Sequence, residues 1–400
     1  MPRNEYSLSD IMYITRPTRN IMSIFGIWPS ISRKKTLCGK VYKFLLITIS
    51  YTLLTCNLIP GFLYWLTQGD TRTRLQMIPF LIYDTMTVSQ YGIFIIRDNQ
   101  IRECLKHVQE DWENILSADV RNMMLKFARI AKRLVTVCAT FMFSGAVLFR
   151  TILPLSQGDI VTEQNVTIRP LACPSYLVFI DVQITPIYEI FFTIQCISGL
   201  ITASIATGAC GLTAIFVIHA SGQLRILRDL MTRLVEERWQ KEYEVNKKLA
   251  DIVEHQVRVR GFLRMVQHTL HQIFLMEIMV NTITLCIVMY FIIIEWQSNN
   301  TAALCVYLLC VGNLILHLFM YCYTGEQLTE QAEKVATASC ELEWYRLPDK
   351  KARYIVLLMI MSNAPTKISA GNLFELSLKT FGDAIKTAGA YFNMLRNITD

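Results

Sequence analysis

Seven apolar stretches, separated by connections that are alternately rich and poor in basic residues, constrain this chain more than any other feature. They run over about Val41–Leu66, Leu75–Ile96, Leu134–Pro154, Tyr176–Ala220, Leu270–Ile294, Ala303–Tyr323 and Leu373–Leu395. Each meets or exceeds the roughly 20 residues that cross a hydrocarbon core. Inside that core every backbone N–H and C=O must be satisfied within the segment or within a closed barrel. Runs of this length therefore predict helices. Composition agrees: 52% of residues are hydrophobic, above the roughly 45–50% of soluble domains. The expected fold is an all-α membrane protein with seven transmembrane helices.

Lys and Arg give the orientation. Connections 1–40, 97–133, 221–267 and 324–370 hold seven, eight, ten and six of them, whereas 67–74, 150–175, 295–302 and 396–400 hold two, two, none and one. Basic connections stay cytoplasmic, so the N-terminus is expected cytoplasmic and the C-terminus extracellular. The net charge of +7 is then a topology signal and gives no support to nucleic-acid binding. Tyr176–Ala220 is long enough for two spans, but splitting it would place the ten basic residues of 221–267 outside. One long helix is the expected form. Met1–Lys40 has no apolar core or small-residue cleavage site of a signal peptide, so insertion is expected to begin at the first span. The periodic apolar residues of 98–131 (Ile101, Leu105, Val108, Trp112) and 223–268 predict amphipathic cytoplasmic extensions. Residues 1–400 form a single domain on this reading, with no internal repeat.

No phosphate loop, HExxH or GxSxG is present. The cysteines lack metal spacing, and His268 and His271 have no evident third ligand. Neither an enzyme nor a cofactor nor a metal is expected. Asp84, Asp181, Glu189 and Glu277 lie within spans, where ionisable groups mark ion or ligand contacts unless buried partners, such as Arg150 for an acid, explain them. Both readings stay open. The outer halves of several spans collect Tyr83, Tyr91, Met142, Gly145, Phe149, Tyr188 and Tyr307, the mixture a small apolar ligand needs. Asn165 and Asn299 open glycosylation sequons on expected outside loops, and Cys173 is extracellular on the same topology.

The closing segment carries charges. On a helix of roughly 100° per residue, Glu375, Lys379, Asp383 and Lys386 share an arc of about 80°, opposite Phe381, Ile385 and Ala388. Such a helix suits a polar interface or a water-filled path.

Two blocks carry a family resemblance. One is Tyr321-Cys322-Tyr323-Thr324-Gly325-Glu326-Gln327-Leu328. The other is Ser362-Asn363-Ala364-Pro365, followed by Ser369-Ala370-Gly371, Phe374, Leu376-Ser377-Leu378, Phe381 and Ala390-Tyr391-Phe392. Together they resemble the C-terminal signature of insect odorant receptors. The resemblance implies an odorant-gated, non-selective cation channel in the plasma membrane of sensory dendrites, a heterotetramer with a co-receptor subunit around a shared pore. This chain lacks the co-receptor's longer second cytoplasmic loop and so resembles a ligand-tuned subunit. By that pattern the pore constriction maps to Met394, Asn397 and Ile398, with the charged arc left for a subunit interface or vestibule. Ligand contacts map to Tyr91, Met142, Gly145, Phe149, Val306, Tyr307 and Cys310, with Tyr188 added from the aromatic pattern. The partners implied are the co-receptor, a small volatile apolar ligand and membrane lipid. A gustatory-type receptor channel and a seven-span G-protein-coupled receptor are the alternatives. The latter needs the opposite orientation.

Overall fold

The computed structural model describes residues 7–29, 37–115, 117–152, 154–155, 160–161, 167–177, 182–236, 242–297, 301–342, 349–364 and 366–399. The helices are α1 (Ser7–Ile24), α2 (Leu37–Thr67), α3 (Thr71–Ile96), α4 (Asp98–Glu113), α5 (Ala118–Val147), α6 (Ile187–Glu236), α7 (Glu242–Gln297), α8 (Thr301–Glu341), α9 (Asp349–Asn363) and α10 (Leu378–Thr399). Two hairpins of two-residue strands accompany them, β1–β2 (Ile160–Val161 with Thr167–Ile168) and β3–β4 (Ser369–Ala370 with Phe374–Glu375). Among the described residues five helices, within α2, α5, α6, α7 and α8, are long and apolar enough to cross a membrane. α3 and α10 complete seven. Their 26 and 22 residues, at about 1.5 Å each, reach across hydrocarbon of about 30 Å.

α6 is the axis of the bundle. Every residue from Ile201 to Leu224 is buried, as expected of a helix that is apolar all round. Its Gly, Ala, Ser and Thr let neighbours approach closely, which is how helices associate in lipid. The region that could have been two spans thus holds one helix, of 50 residues, which starts at Ile187 and not at Tyr176. At about 75 Å it overruns any bilayer, as do α7 and α8. Their overhangs meet at the end of the molecule that carries the basic connections.

α1 and α4 close that end. Asp10 on α1 accepts a two-pronged contact from Arg121 on α5, at 2.7 and 2.9 Å. The amphipathic α4 buries Ile101, Leu105, Val108 and Trp112. The expected helix over 98–131 is in fact two, because the chain leaves α4 at Glu113 and starts α5 at Ala118. Arg97 pins the elbow between α3 and α4, donating to the carbonyls of His268 and Thr269 at 2.6 and 2.7 Å. Buried Asp111 faces His219 Nε2 at 2.9 Å and Arg258 Nε at 2.6 Å. Burial alone would raise its pKa. The facing His107 and His219 rings more than reverse this and hold the carboxyl far below the usual range.

The closing span begins later than the sequence pattern suggests. Leu373 lies in the β3–β4 turn and Glu375 in β4, so Glu375 is not on the helix. It pairs with Lys367 at 2.8 Å instead. The β3–β4 hairpin is held on α7, with Ser369 N–H donating to Gln267 Oε1 at 2.9 Å and Gly371 N–H to the His271 carbonyl at 3.1 Å. α10 then starts at Leu378, whose N–H donates to Glu326 Oε2 of α8 at 3.0 Å. A carboxylate there satisfies an orphan donor and faces the positive end of the helix dipole.

Candidate ligand-binding site

A cavity of about 170 Å³ lies between α3, α5, α6, α7 and α8. For scale, an apolar cavity of about 150 Å³ holds a benzene-sized guest. Apolar side chains form most of its wall, five aromatic rings among them. Phe80 on α3 packs against Phe149 with centroids 4.8 Å apart, and Phe291 on α7 stacks on Tyr307 of α8 at 6.2 Å. α5 ends in a π-helical turn, Leu148–Ile152. The wider turn lets adjacent residues Phe149 and Arg150 both line the cavity, a placement typical of π-bulges at functional sites.

One part of the wall is polar. Arg150 Nη2 donates to Asp84 Oδ1 at 2.9 Å, and Asn57 Nδ2 donates to Asp84 Oδ2 at 2.5 Å. The Arg150 guanidinium also lies 5.9 Å from the Phe80 ring centroid. Close approach at two glycines makes this possible. A Cβ on Gly199 would come within 2.7 Å of Arg150 Cγ, and one on Gly145 within 2.2 Å of Asn313 Nδ2. Any larger residue at either position would push a polar side chain out of place.

A second buried cluster lies next to the cavity. Glu277 on α7 accepts from Gln90 Nε2 at 2.9 Å, from Asn281 Nδ2 at 2.9 Å and from Tyr321 OH at 3.4 Å, and lies 3.2 Å from His317 Nδ1. Thr284 and Asn313 line the cavity. Asn281 and Glu277 follow Thr284 along one face of α7, and His317 and Tyr321 follow Asn313 by successive i+4 steps on α8. A column of polar side chains therefore runs from the cavity to Thr324-Gly325-Glu326, where α8 meets the start of α10.

The residues expected at the ligand site separate into two groups. Met142, Gly145, Phe149, Tyr307 and Cys310 line the cavity. Tyr91 does not; its hydroxyl donates to the Phe25 carbonyl at 2.9 Å and its ring packs edge-on against Tyr51. Tyr188 lies under the loop before α6, donating to the Pro170 carbonyl at 2.9 Å. Val306 is buried but outside the lining. Lining residues missed from sequence include Phe80, Gly199, Thr284, Phe291 and Asn313. Phe291 and Thr284 stand on the fifth span, which the aromatic pattern had left aside. The intramembrane acids also resolve: Asp84 and Glu277 have the buried partners above, and Glu189 meets Arg169 at an exposed 3.4 Å. Cys173 is buried, its backbone held by the Gln195 side chain. Asp181, Asn165 and Asn299 lie outside the described residues.

α10 buries Ala384 and Ala388 against the bundle, with Phe381 meeting Phe319 at 5.6 Å. Lys379, Asp383, Lys386 and Met394 are exposed. At roughly 100° per residue, Met394 falls about 20° from Asp383. Met394 thus shares one exposed face with the charged residues. The side chains of Asn397 and Ile398 lie outside the described residues. No group of His, Cys, Asp and Glu fit for a metal occurs among the described residues.

Several known proteins are similar to this chain. Odorant receptor 63a of Drosophila melanogaster is 22% identical over 217 residues, 53% of this chain and 50% of that protein. Odorant receptor 33c of the same organism is 28% identical over 151 residues, 37% of this chain and 38% of the relative. The aligned part spans about half the length, or less, of these relatives. The structure of the insect olfactory receptor OR5 from Machilis hrabei in complex with eugenol superposes with a TM-score of 0.84 at 16% identity, covering 98% of this chain and 100% of that one. A second structure of OR5 superposes with a TM-score of 0.79 at 17% identity, covering 98% of this chain and 99% of that one. At such identity the superposition establishes the all-α, seven-span fold of a multi-pass membrane protein. The 7tm Odorant receptor family model matches residues 70–389, which include every lining residue of the cavity and most of α10, and the chain belongs to that family of receptors.

Proposed function

We propose that this chain is the odorant-binding subunit of a ligand-gated, non-selective cation channel, working with a co-receptor subunit in a heterotetramer. The observation that carries the reading is the physical link between an aromatic cavity and the exposed face of α10. The cavity suits a small, mostly apolar molecule. The polar column on α7 and α8 ends where Glu326 caps α10. The face of α10 that bears Lys379, Asp383, Lys386 and Met394 has no partner within its own bundle among the described residues and suits the lumen or a neighbouring subunit. Met394, with Asn397 and Ile398 beyond it, forms the constriction in this proposal.

Met142, Gly145, Phe149, Tyr307 and Cys310 contact the ligand. Binding works through differential affinity: a ligand opens the pore only by as much as it prefers the open conformation. Moving the equilibrium from 1:99 to 99:1 takes about 5.5 kcal/mol of preference. The basic end is cytoplasmic by the distribution of Lys and Arg, which places the N-terminus inside and the C-terminus outside at the plasma membrane. On that orientation Asn165 and Asn299 are available to glycosylation.

The experiment is co-expression with a co-receptor subunit and recording of odorant-evoked currents. Met394→Cys is expected to make the current sensitive to a charged thiol reagent applied from outside, relative to the unsubstituted receptor, and Ala388→Cys is not. Equal insensitivity of the two refutes the pore face. An N-terminal epitope detected on intact cells refutes the orientation and revives the G-protein-coupled alternative.

A further inference from the structure

The cavity is mostly apolar, and three of its lining residues leave hydrogen-bonding atoms unused among the described residues. Arg150, 7% exposed, gives Nη2 to Asp84, but its Nη1 has no partner. Thr284 Oγ1 and Asn313 Oδ1, on two other helices, are also unpartnered. All three residues line the same cavity. Buried polar atoms are hydrogen-bonded in the great majority of cases. A guanidinium offers only donors, so whatever completes Arg150 must present an acceptor.

Charge balance narrows the class of ligand. Asp84 already neutralises Arg150, and Asn57 occupies the other Asp84 oxygen. A carboxylate ligand would bring a net negative charge into a dry site, at the expense of losing its hydration. An ammonium would find no free anion. A hydrocarbon fills the rings but leaves Nη1 bare. A neutral carbonyl meets the donor without adding charge. On the reading of this cavity as the ligand site, we propose that it selects neutral oxygenated molecules whose carbonyl oxygen accepts from Arg150 Nη1 while the hydrocarbon part packs on Phe80, Phe149, Phe291 and Tyr307. Where the ligand also bears a hydroxyl, Asn313 Oδ1 is the acceptor for it. Gly145 and Gly199 are specificity elements in this scheme, since they give Asn313 and Arg150 room to lie against the wall.

Three isosteric probes test this: acetophenone, cumene and benzoate have the same number of non-hydrogen atoms and nearly the same shape. Binding is measured by calorimetry on the purified full chain at neutral pH, with no dependence on channel opening. Acetophenone is expected to bind at least tenfold more tightly than either of the other two, in keeping with the strength of hydrogen bonds to charged groups. In Asp84→Leu/Arg150→Met, which removes both charges and leaves neither buried alone, the ratio of acetophenone to cumene affinity is expected to fall to about one. Equal binding of acetophenone and cumene by the unsubstituted chain overturns the subsite and leaves the cavity reading intact. So does a preference for benzoate, or a ratio that survives in the double variant. If the double variant does not fold, the three probes on the unsubstituted chain decide. Binding of none of them overturns the cavity reading and the subsite together. Acetophenone-selective binding without any current in cells supports the subsite and counts against the channel.

Discussion

Gly325→Ala tests the junction between α8 and α10. A Cβ at position 325 would stand 2.1 Å from the Leu376 carbonyl oxygen, 2.5 Å from its Cβ and 2.8 Å from its carbonyl carbon. Non-bonded atoms need about 3.5 Å, so the backbone at Leu376 must retreat by roughly 1 Å. It has little freedom to do so, because Leu376 N–H donates to the Ile368 carbonyl at 2.9 Å and its side chain is buried. Overpacking of this kind costs about 1–3 kcal/mol, and pulling Leu378 away from Glu326 removes a helix cap of about 1 kcal/mol. Gly312→Ala is the control: it lies on the same helix with nothing within 4 Å of its Cβ. It keeps only the helix preference of alanine, a gain of about 0.5–1 kcal/mol. The two variants should therefore differ by about 2–4 kcal/mol. An unfolding entropy near 2.1 cal/mol/K per residue, taken over 400 residues, converts this to about 2–5 °C in Tm. Unfolding that leaves helices intact has a smaller entropy and a larger shift. The assay is thermal denaturation of the purified receptor in one detergent. Melting of Gly325→Ala within about 1 °C of Gly312→Ala would refute the argument that the Leu376 backbone has nowhere to go.

Three further outcomes follow from the geometry. His317→Leu strands Glu277, and breaking a buried pair in this way costs about 3–5 kcal/mol. In a double-mutant cycle with Glu277→Gln, a coupling of about 1–3 kcal/mol is expected in thermal denaturation; strictly additive losses would separate the two residues. Asp111 has a depressed pKa when folded, so its contribution is complete above the unfolded value of about 3.9 and is lost as pH falls below it. Stability should drop more steeply below about pH 4 in the unsubstituted chain than in Asp111→Asn, and matching profiles would contradict the assignment. Tyr91→Phe leaves the Phe25 carbonyl without its donor, which costs about 1–3 kcal/mol of stability. Ligand affinity should stay within about twofold, whereas Phe149→Ala, in the cavity wall, should weaken it by tenfold or more.

Much of the fold was legible because a bilayer imposes a length and a charge rule. Apolar runs located all seven spans, and the ten basic residues of 221–267, with no turn cluster inside the run, argued that Tyr176–Ala220 holds one helix. The places where the pattern misled have local causes. Residues 373–377 are apolar enough to extend the closing span, but hydrogen bonds to α7 fold them into a hairpin, and the helix waits for the caps of Glu326 and Ser377. Periodicity cannot register a contact between residues more than fifty positions apart. For the same reason α1 was not anticipated as a packed helix: its anchor is the long-range Asp10–Arg121 pair.

The lining of the proposed ligand cavity was readable only in part, and the division has a physical logic. Residue type announces Met142, Phe149 and Tyr307, because rings and thioethers supply dispersion surface wherever they face inward. It does not say which way a ring faces. Tyr91 and Tyr188 have the right chemistry, but their hydroxyls are committed to backbone carbonyls away from the cavity. Glycine is the opposite case. Gly199 carries no chemistry that sequence reading could weigh, yet its missing Cβ lets Arg150 lie against α6 and reach Asp84. The charged pair shows why a buried partner and a ligand contact are not exclusive readings. Pairing makes Arg150 tolerable inside the bundle, and the same pairing leaves one face of a neutralised guanidinium open to the cavity. On the proposal above, a site assembled in this way distinguishes ligands by an oxygen atom while most of its wall remains hydrocarbon.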